Sequence, residues 1–161
     1  MTTKNTTEHN PVVLQPRLNL TLRGVSLFLV AIGIAISGYL SIVKLTDSSQ
    51  ICIETGPFNC DVVQSSVYAE FMGIPIAYLG LATYLTLGFL IAFENRIGLL
   101  KDYGVTLTFG IALFAFMYSM WLVYLQVFRL EALCMWCLAH EIVMTLLFIV
   151  TALRLRKVLT A

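Results

Sequence analysis

Long uncharged stretches alternate with short polar ones along this chain. Between Arg23 and Lys44 lie twenty residues without a charge, "GVSLFLVAIGIAISGYLSIV". Between Glu70 and Glu94 lie twenty-three, and between Asp102 and Arg129 twenty-six. A fourth run extends from Leu133 to Leu153, interrupted only by His140 and Glu141 near its start. About 20 mostly apolar residues suffice for a helix to cross the hydrocarbon core of a bilayer. A soluble helical core would need polar faces at helical spacing, and none occur in these runs. The pattern predicts four transmembrane helices at about 23–43, 74–93, 103–128 and 133–154.

The connections set the topology. "ENRIGLLKDYG" and the segment around Arg129–Glu131 are short, so neighbouring helices are antiparallel and form an up-down bundle. The predicted fold class is therefore an all-α membrane protein, with the four-helix domain at 22–157. The one long connection, residues 44–73, is expected to carry a short amphipathic helix. Gly56–Pro57 marks a turn, Asp61 is a candidate cap, and Val62, Val63, Ser66 and Tyr68 could rest on the bundle. Gly73 is expected to turn the chain, and Pro75 suits the first turn of the second span. Gly33, Gly38, Gly80 and Gly110 are expected where helices approach closely.

Residues 1–21 read as a polar, disordered cytoplasmic tail opening on "MTTKNTTEHN". No short apolar core with a small-residue cleavage site precedes the first span, so no signal peptide is expected. Composition agrees with the hydropathy pattern: 59% of residues are hydrophobic and 12% charged, well below the charge of a soluble domain. The net charge of +1 suggests no nucleic-acid partner. Positive loops stay cytoplasmic. With both termini inside, the inner segments hold Lys4, Arg17, Arg23, Arg96, Lys101, Arg154, Arg156 and Lys157, and the outer ones only Lys44 and Arg129.

On that topology all four cysteines fall on the outer side: Cys52 and Cys60 in the loop, Cys134 and Cys137 at the start of the fourth helix. Cysteines placed merely as small hydrophobes would scatter over both sides. An even number on the oxidising side instead points to disulfide chemistry, with three pairings open. A zinc site would favour two close knuckles, whereas Cys52 and Cys60 are eight apart, so no metal is expected. A static bridge between residues three apart restrains little chain, so Cys134 and Cys137 suit reaction better than reinforcement. A helix start favours a thiolate through its free N–H groups and dipole. At the membrane edge such a thiolate can meet a lipid-soluble acceptor, and a quinone takes two electrons and two protons, matching one dithiol. Cys134, Cys137 and Glu141 fall on one helical face with His140 beside it. Ionisable groups in a span are functional candidates, so His140 and Glu141 are candidate proton donors. An ordinary interfacial role, for Glu141 an ion pair with Arg129, is the alternative.

A loop pair eight apart, then "CDVVQSSVYAEFMGIP", then Cys-x-x-Cys opening the fourth helix resembles the vitamin K epoxide reductase family, specifically its bacterial and archaeal members. The resemblance covers nearly the whole chain beyond the tail. It implies that Cys134 and Cys137 form the active pair, with Cys137 delivering electrons to a quinone of ubiquinone or menaquinone type. It implies that Cys52 and Cys60 shuttle electrons from an external thioredoxin-fold protein to Cys134, and that Ser65, with Ser66 beside it, lies near the quinone pocket. Many bacterial members carry a fused thioredoxin-like domain; its absence here implies a separate partner. Animal members have a tyrosine four residues after the second Cys-x-x-Cys cysteine, where Glu141 stands in this chain. The resemblance thus implies oxidation of protein thiols at the expense of membrane quinone, in a bacterial or archaeal cytoplasmic membrane, rather than vitamin K epoxide chemistry. Unrelated quinone-coupled oxidases carry the two cysteine pairs in the reverse order. From a different class, a structural or assembly protein with passive disulfides would share the composition but not the reactivity.

Overall fold

The computed structural model describes residues 11–48, 50–52 and 55–160. Helix α1 (Pro11–Leu45) is followed by the short α2 (Cys60–Gln64), a 3-10 turn at Val67–Ala69, and a minimal hairpin of β1 (Glu70–Phe71) and β2 (Ile74–Pro75). Helices α3 (Ile76–Phe93), α4 (Gly98–Leu125) and α5 (Met135–Thr160) complete the chain, with a π-helical turn at Gln126–Leu130 between the last two. Among the described residues, four segments are long and apolar enough to cross a membrane: Leu20–Leu45, Ile76–Phe93, Tyr103–Leu130 and Met135–Thr160. The four-span helical architecture is as the hydropathy pattern predicts, with the minimal hairpin as its one addition among the described residues.

Helix α1 packs on α3 and α5, and α4 packs on the same two, closing a four-membered ring. Leu29 and Val30 of α1, Tyr84, Leu87 and Ile91 of α3, and Val143, Met144 and Leu147 of α5 fill its centre. Helix α4 joins through Phe116, which stacks on Phe148 at 4.8 Å. Gly33 lies directly against the Tyr84 ring, and Gly80 faces His140, so both meet the close-packing expectation. Gly38 and Gly110 do not: a Cβ at either would meet nothing within 4 Å, because these positions turn away from the helix contacts.

Several local expectations are revised. Residues 11–21, assigned from sequence to a polar tail, belong to α1; residues 1–10 lie outside the described residues. Mixed polar and apolar residues such as "RLNLTLR" can continue a helix beyond the hydrocarbon-spanning run. The cap of α2 is Asn59, whose side chain accepts the Val62 N–H at 3.2 Å, and Asp61 sits inside the first turn. Gly73 does turn the chain. It and Met72, both with positive φ, form the two-residue connection that pairs Glu70 with Pro75, as tight hairpins require. At the opposite end of the bundle from the cysteine loop, Arg154 is buried and pairs with Glu94 at 2.6 Å, while Arg23 reaches the same carboxylate at 3.5 Å.

Candidate active site

The Gly-Pro turn does more than reverse the chain. Gly56 adopts φ +63°, which lets the following residues run alongside the entry to α5. There the Leu133 N–H donates to the Pro57 carbonyl at 2.9 Å, and the Asn59 N–H donates to the Leu133 carbonyl at 3.0 Å. This two-bond bridge fixes the residue before Cys60 against the residue before Cys134. Both cysteines are fully buried and share one small cluster with Val63 and Ala132; Cys52, Trp136 and Cys137 pack around it.

Cys52 and Cys60 form a disulfide, with Cα atoms 6.2 Å apart. Cys134 and Cys137 are free. Of the three pairings the sequence left open, the structure holds the loop bridge and leaves the Cys-x-x-Cys pair as thiols.

Cys134 is the capping position of α5 rather than part of its first turn, since its carbonyl accepts the Leu138 N–H at 3.0 Å. Its own N–H donates to Gln126 Oε1 at 3.1 Å. Gln126 is buried in the π-helical turn that ends α4, and its carbonyl accepts the Ala132 N–H at 3.2 Å. π-Helical turns concentrate at functional sites because the extra residue re-aims side chains. The neighbouring Cys137 thiol holds the Cys134 thiol below its ordinary value of 9.0, at about 7. The backbone N–H groups of Cys137 and Trp136 and the Gln64 side chain act in the same direction, against the burial that would raise it. The backbone N–H contribution is the helix-start effect expected from sequence, but the larger cause is the Cys137 thiol.

The next turn of α5 opens onto a different environment. Cys137, His140 and Glu141 line a cavity of about 490 Å³ that is also lined by residues of all four long helices and by Ser66, Tyr68 and Phe71 of the outer segment. Its walls are mostly apolar, and its size falls in the range of small-molecule sites. Cys134 is not among the lining residues; it faces Cys60. The motif therefore borders both environments, with Cys134 in the cluster that holds Cys60 and Cys137 reaching the cavity.

Glu141 is buried. Its Oε1 accepts a hydrogen bond from Thr145 at 3.3 Å, while Oε2 is buried with no protein partner among the described residues. It lies within the bundle rather than reaching to Arg129. The His140 ring meets Tyr84 edge-on at 5.3 Å. Of the two candidate serines, Ser66 lines the cavity. Ser65 does not: it is exposed and its hydroxyl donates to the Asp61 carbonyl at 2.6 Å. The one-residue offset follows from α2 ending at Gln64, after which the chain turns and swings Ser66 inward.

Sequence reasoning passed over Gln126. The available signal was a lone amide at the edge of an otherwise apolar span, close to the cysteine motif in sequence.

A protein-family model described as the vitamin K epoxide reductase family matches residues 25–152 of this chain. The matched region contains all four cysteines, the outer segment and the cavity-lining parts of the four long helices.

Proposed function

The chain belongs to the vitamin K epoxide reductase family, an oxidoreductase family, and from that premise we propose that it oxidises an exported thioredoxin-fold protein at the expense of a membrane quinone. The partner dithiol reduces the Cys52–Cys60 bridge and leaves with a disulfide of its own. The loop thiols then reduce a Cys134–Cys137 disulfide and are themselves bridged again. Finally the Cys134 and Cys137 thiols pass two electrons and two protons to the quinone, leaving a disulfide and a hydroquinone. The quinone is of ubiquinone or menaquinone type. In the state described here the loop pair is bridged and the Cys-x-x-Cys pair is free, which corresponds to electrons already resting beside the cavity.

One observation carries this reading. Cys134 shares a buried cluster with Cys60, and one turn further Cys137 faces the apolar cavity, so a single dithiol touches both the loop disulfide and the place where a greasy acceptor would sit. The cavity also suits a quinone ring: apolar walls for its body and polar groups from Gln126, Ser66, His140 and Glu141 for its oxygens. Cys137 supplies the reacting sulfur, and Glu141, one carboxyl oxygen of which has no partner among the described residues, moves a proton. The low thiol pKa of Cys134 makes it a good leaving group when the loop bridge re-forms.

The Lys and Arg distribution supports both termini in the cytoplasm and the cysteines on the outer side. A separate outer partner fits Cys52, which is partly accessible while Cys60 is fully buried. Alkylation trapping after quinone depletion tests the reading. An oxidase accumulates free thiols at Cys52 and Cys60, whereas passive structural bridges remain closed.

A further inference from the structure

Ile51, the residue before Cys52, has both backbone polar groups taken by side chains from two different membrane helices. Its N–H donates to the Tyr39 hydroxyl of α1 at 3.1 Å, and its carbonyl accepts from Trp136 Nε1 of α5 at 2.8 Å. The two rings meet at 4.7 Å with a 40° tilt. Trp136 lies within the Cys-x-x-Cys motif itself, immediately before Cys137. A single indole thus joins the segment carrying one loop cysteine to the turn carrying the two free thiols.

The two loop cysteines are held by different means. Cys60 is secured by the backbone bridge through Leu133 and by full burial. Cys52 is less buried, and the preceding residue is held by side-chain hydrogen bonds that can be removed singly. The Leu133 hydrogen bonds that hold Cys60 beside Cys134 do not involve the disulfide, whereas the position of Cys52 depends on how well Ile51 is kept in place.

We infer that Trp136 and Tyr39 form a positioning clamp that sets how readily the Cys52–Cys60 disulfide closes, and so how the outer pair is poised against its thiol partners. The inference rests on the proposed relay for its biological use. In that relay a Cys60 thiolate attacks Cys134 of the Cys134–Cys137 disulfide, forming a Cys60–Cys134 bond and freeing Cys137. The Cys52 thiolate then attacks Cys60, re-forming the loop bridge and releasing Cys134 as a thiolate. The second exchange requires Cys52 to return to its bonded position. The clamp is present in the bridged state, so it favours closure to the extent that the opened loop loses it.

The test is the equilibrium of the loop pair with glutathione in the full-length protein carrying Cys134→Ala and Cys137→Ala, where one bridge plus two glutathione thiols gives the loop dithiol plus glutathione disulfide. It needs neither quinone nor protein partner, so it reports on the clamp even if the relay itself is refuted by absent quinone turnover. Trp136→Phe keeps a ring but loses the donor, and the expected shift is about two- to tenfold toward the reduced loop, the range for one hydrogen bond. Tyr39→Phe is expected to shift it in the same direction, and it decides the matter if Trp136→Phe does not fold. Trp121→Phe, an exposed tryptophan of α4, is expected to leave the equilibrium unchanged. An unmoved equilibrium in the deciding variant, or an equal shift with Trp121→Phe, overturns the clamp. In the four-cysteine protein, Trp136→Phe is further expected to accumulate the Cys60–Cys134 bond during turnover.

Discussion

Gln126 Oε1 accepts the backbone N–H of Cys134 at 3.1 Å, tying the end of one membrane helix to the residue that starts the next. The bond lies in a buried setting, and the N–H it satisfies belongs to a helix start where partners inside the helix are lacking. Gln126→Leu should therefore cost about 1–3 kcal/mol, the range for an orphaned buried polar group. Thermal unfolding in detergent measures the stability loss. Single-turnover quinone reduction should slow as well, because the Cys134 turn loses its anchor.

The pH dependence of Cys134 follows from its neighbour. A thiol lowered from 9.0 to about 7 by the adjacent Cys137 thiol is largely protonated below pH 7 and largely thiolate above it. Thiolate absorbance or alkylation rate at Cys134 should rise through about pH 7 in the reduced protein. In Cys137→Ala the first cause of the lowering is gone, so the midpoint should move up toward 9.0. An unchanged midpoint would remove Cys137 as the cause.

Glu141 offers a carboxyl oxygen without a protein partner among the described residues, on the wall of an apolar cavity. If it supplies a proton to the reduced quinone, Glu141→Gln should lower the rate of quinone reduction by about a hundredfold, the lower range for general acid catalysis, and flatten its dependence on pH. Rates of loop-disulfide exchange should be unaffected. A pH–rate profile that Glu141→Gln leaves intact would refute the role.

At the other end of the bundle the buried Arg154–Glu94 pair gives a purely structural expectation. Glu94→Ala leaves the Arg154 charge uncompensated and should destabilise by about 3–5 kcal/mol. Gly33→Ala drives a methyl group into the Tyr84 ring and should cost about 1–3 kcal/mol by overpacking. Both are read by thermal unfolding, and neither variant touches the cysteines.

Hydropathy alone located the four spans, because a bilayer imposes a length of apolar chain that shows directly in the residues. The cysteine motif and its helix start were equally legible, since Cys-x-x-Cys spacing on a helix fixes both neighbours. What stayed hidden depends on tertiary approach. The Leu133 bridge to Pro57 and Asn59 uses backbone groups that every residue carries. Gln126 became visible as a cap only once the π-helical turn aimed it at Cys134. The choice of Ser66 over Ser65 turns on where a five-residue helix ends, and a one-residue error there reverses inside and outside. The hairpin at Glu70–Pro75 was too short to leave a periodic signal. Arg154 counted among the inner positive charges, but its partnership with Glu94 spans sixty residues of sequence and no local pattern announces it.

In the proposed relay, electrons reach the quinone through Cys137. It is tested most directly by following quinone reduction in the purified protein supplied with a reduced thioredoxin-fold protein, comparing wild type with Cys137→Ala. Steady reduction by wild type is expected, and only the uncatalysed background rate with Cys137→Ala. Equal rates for the two proteins would contradict it.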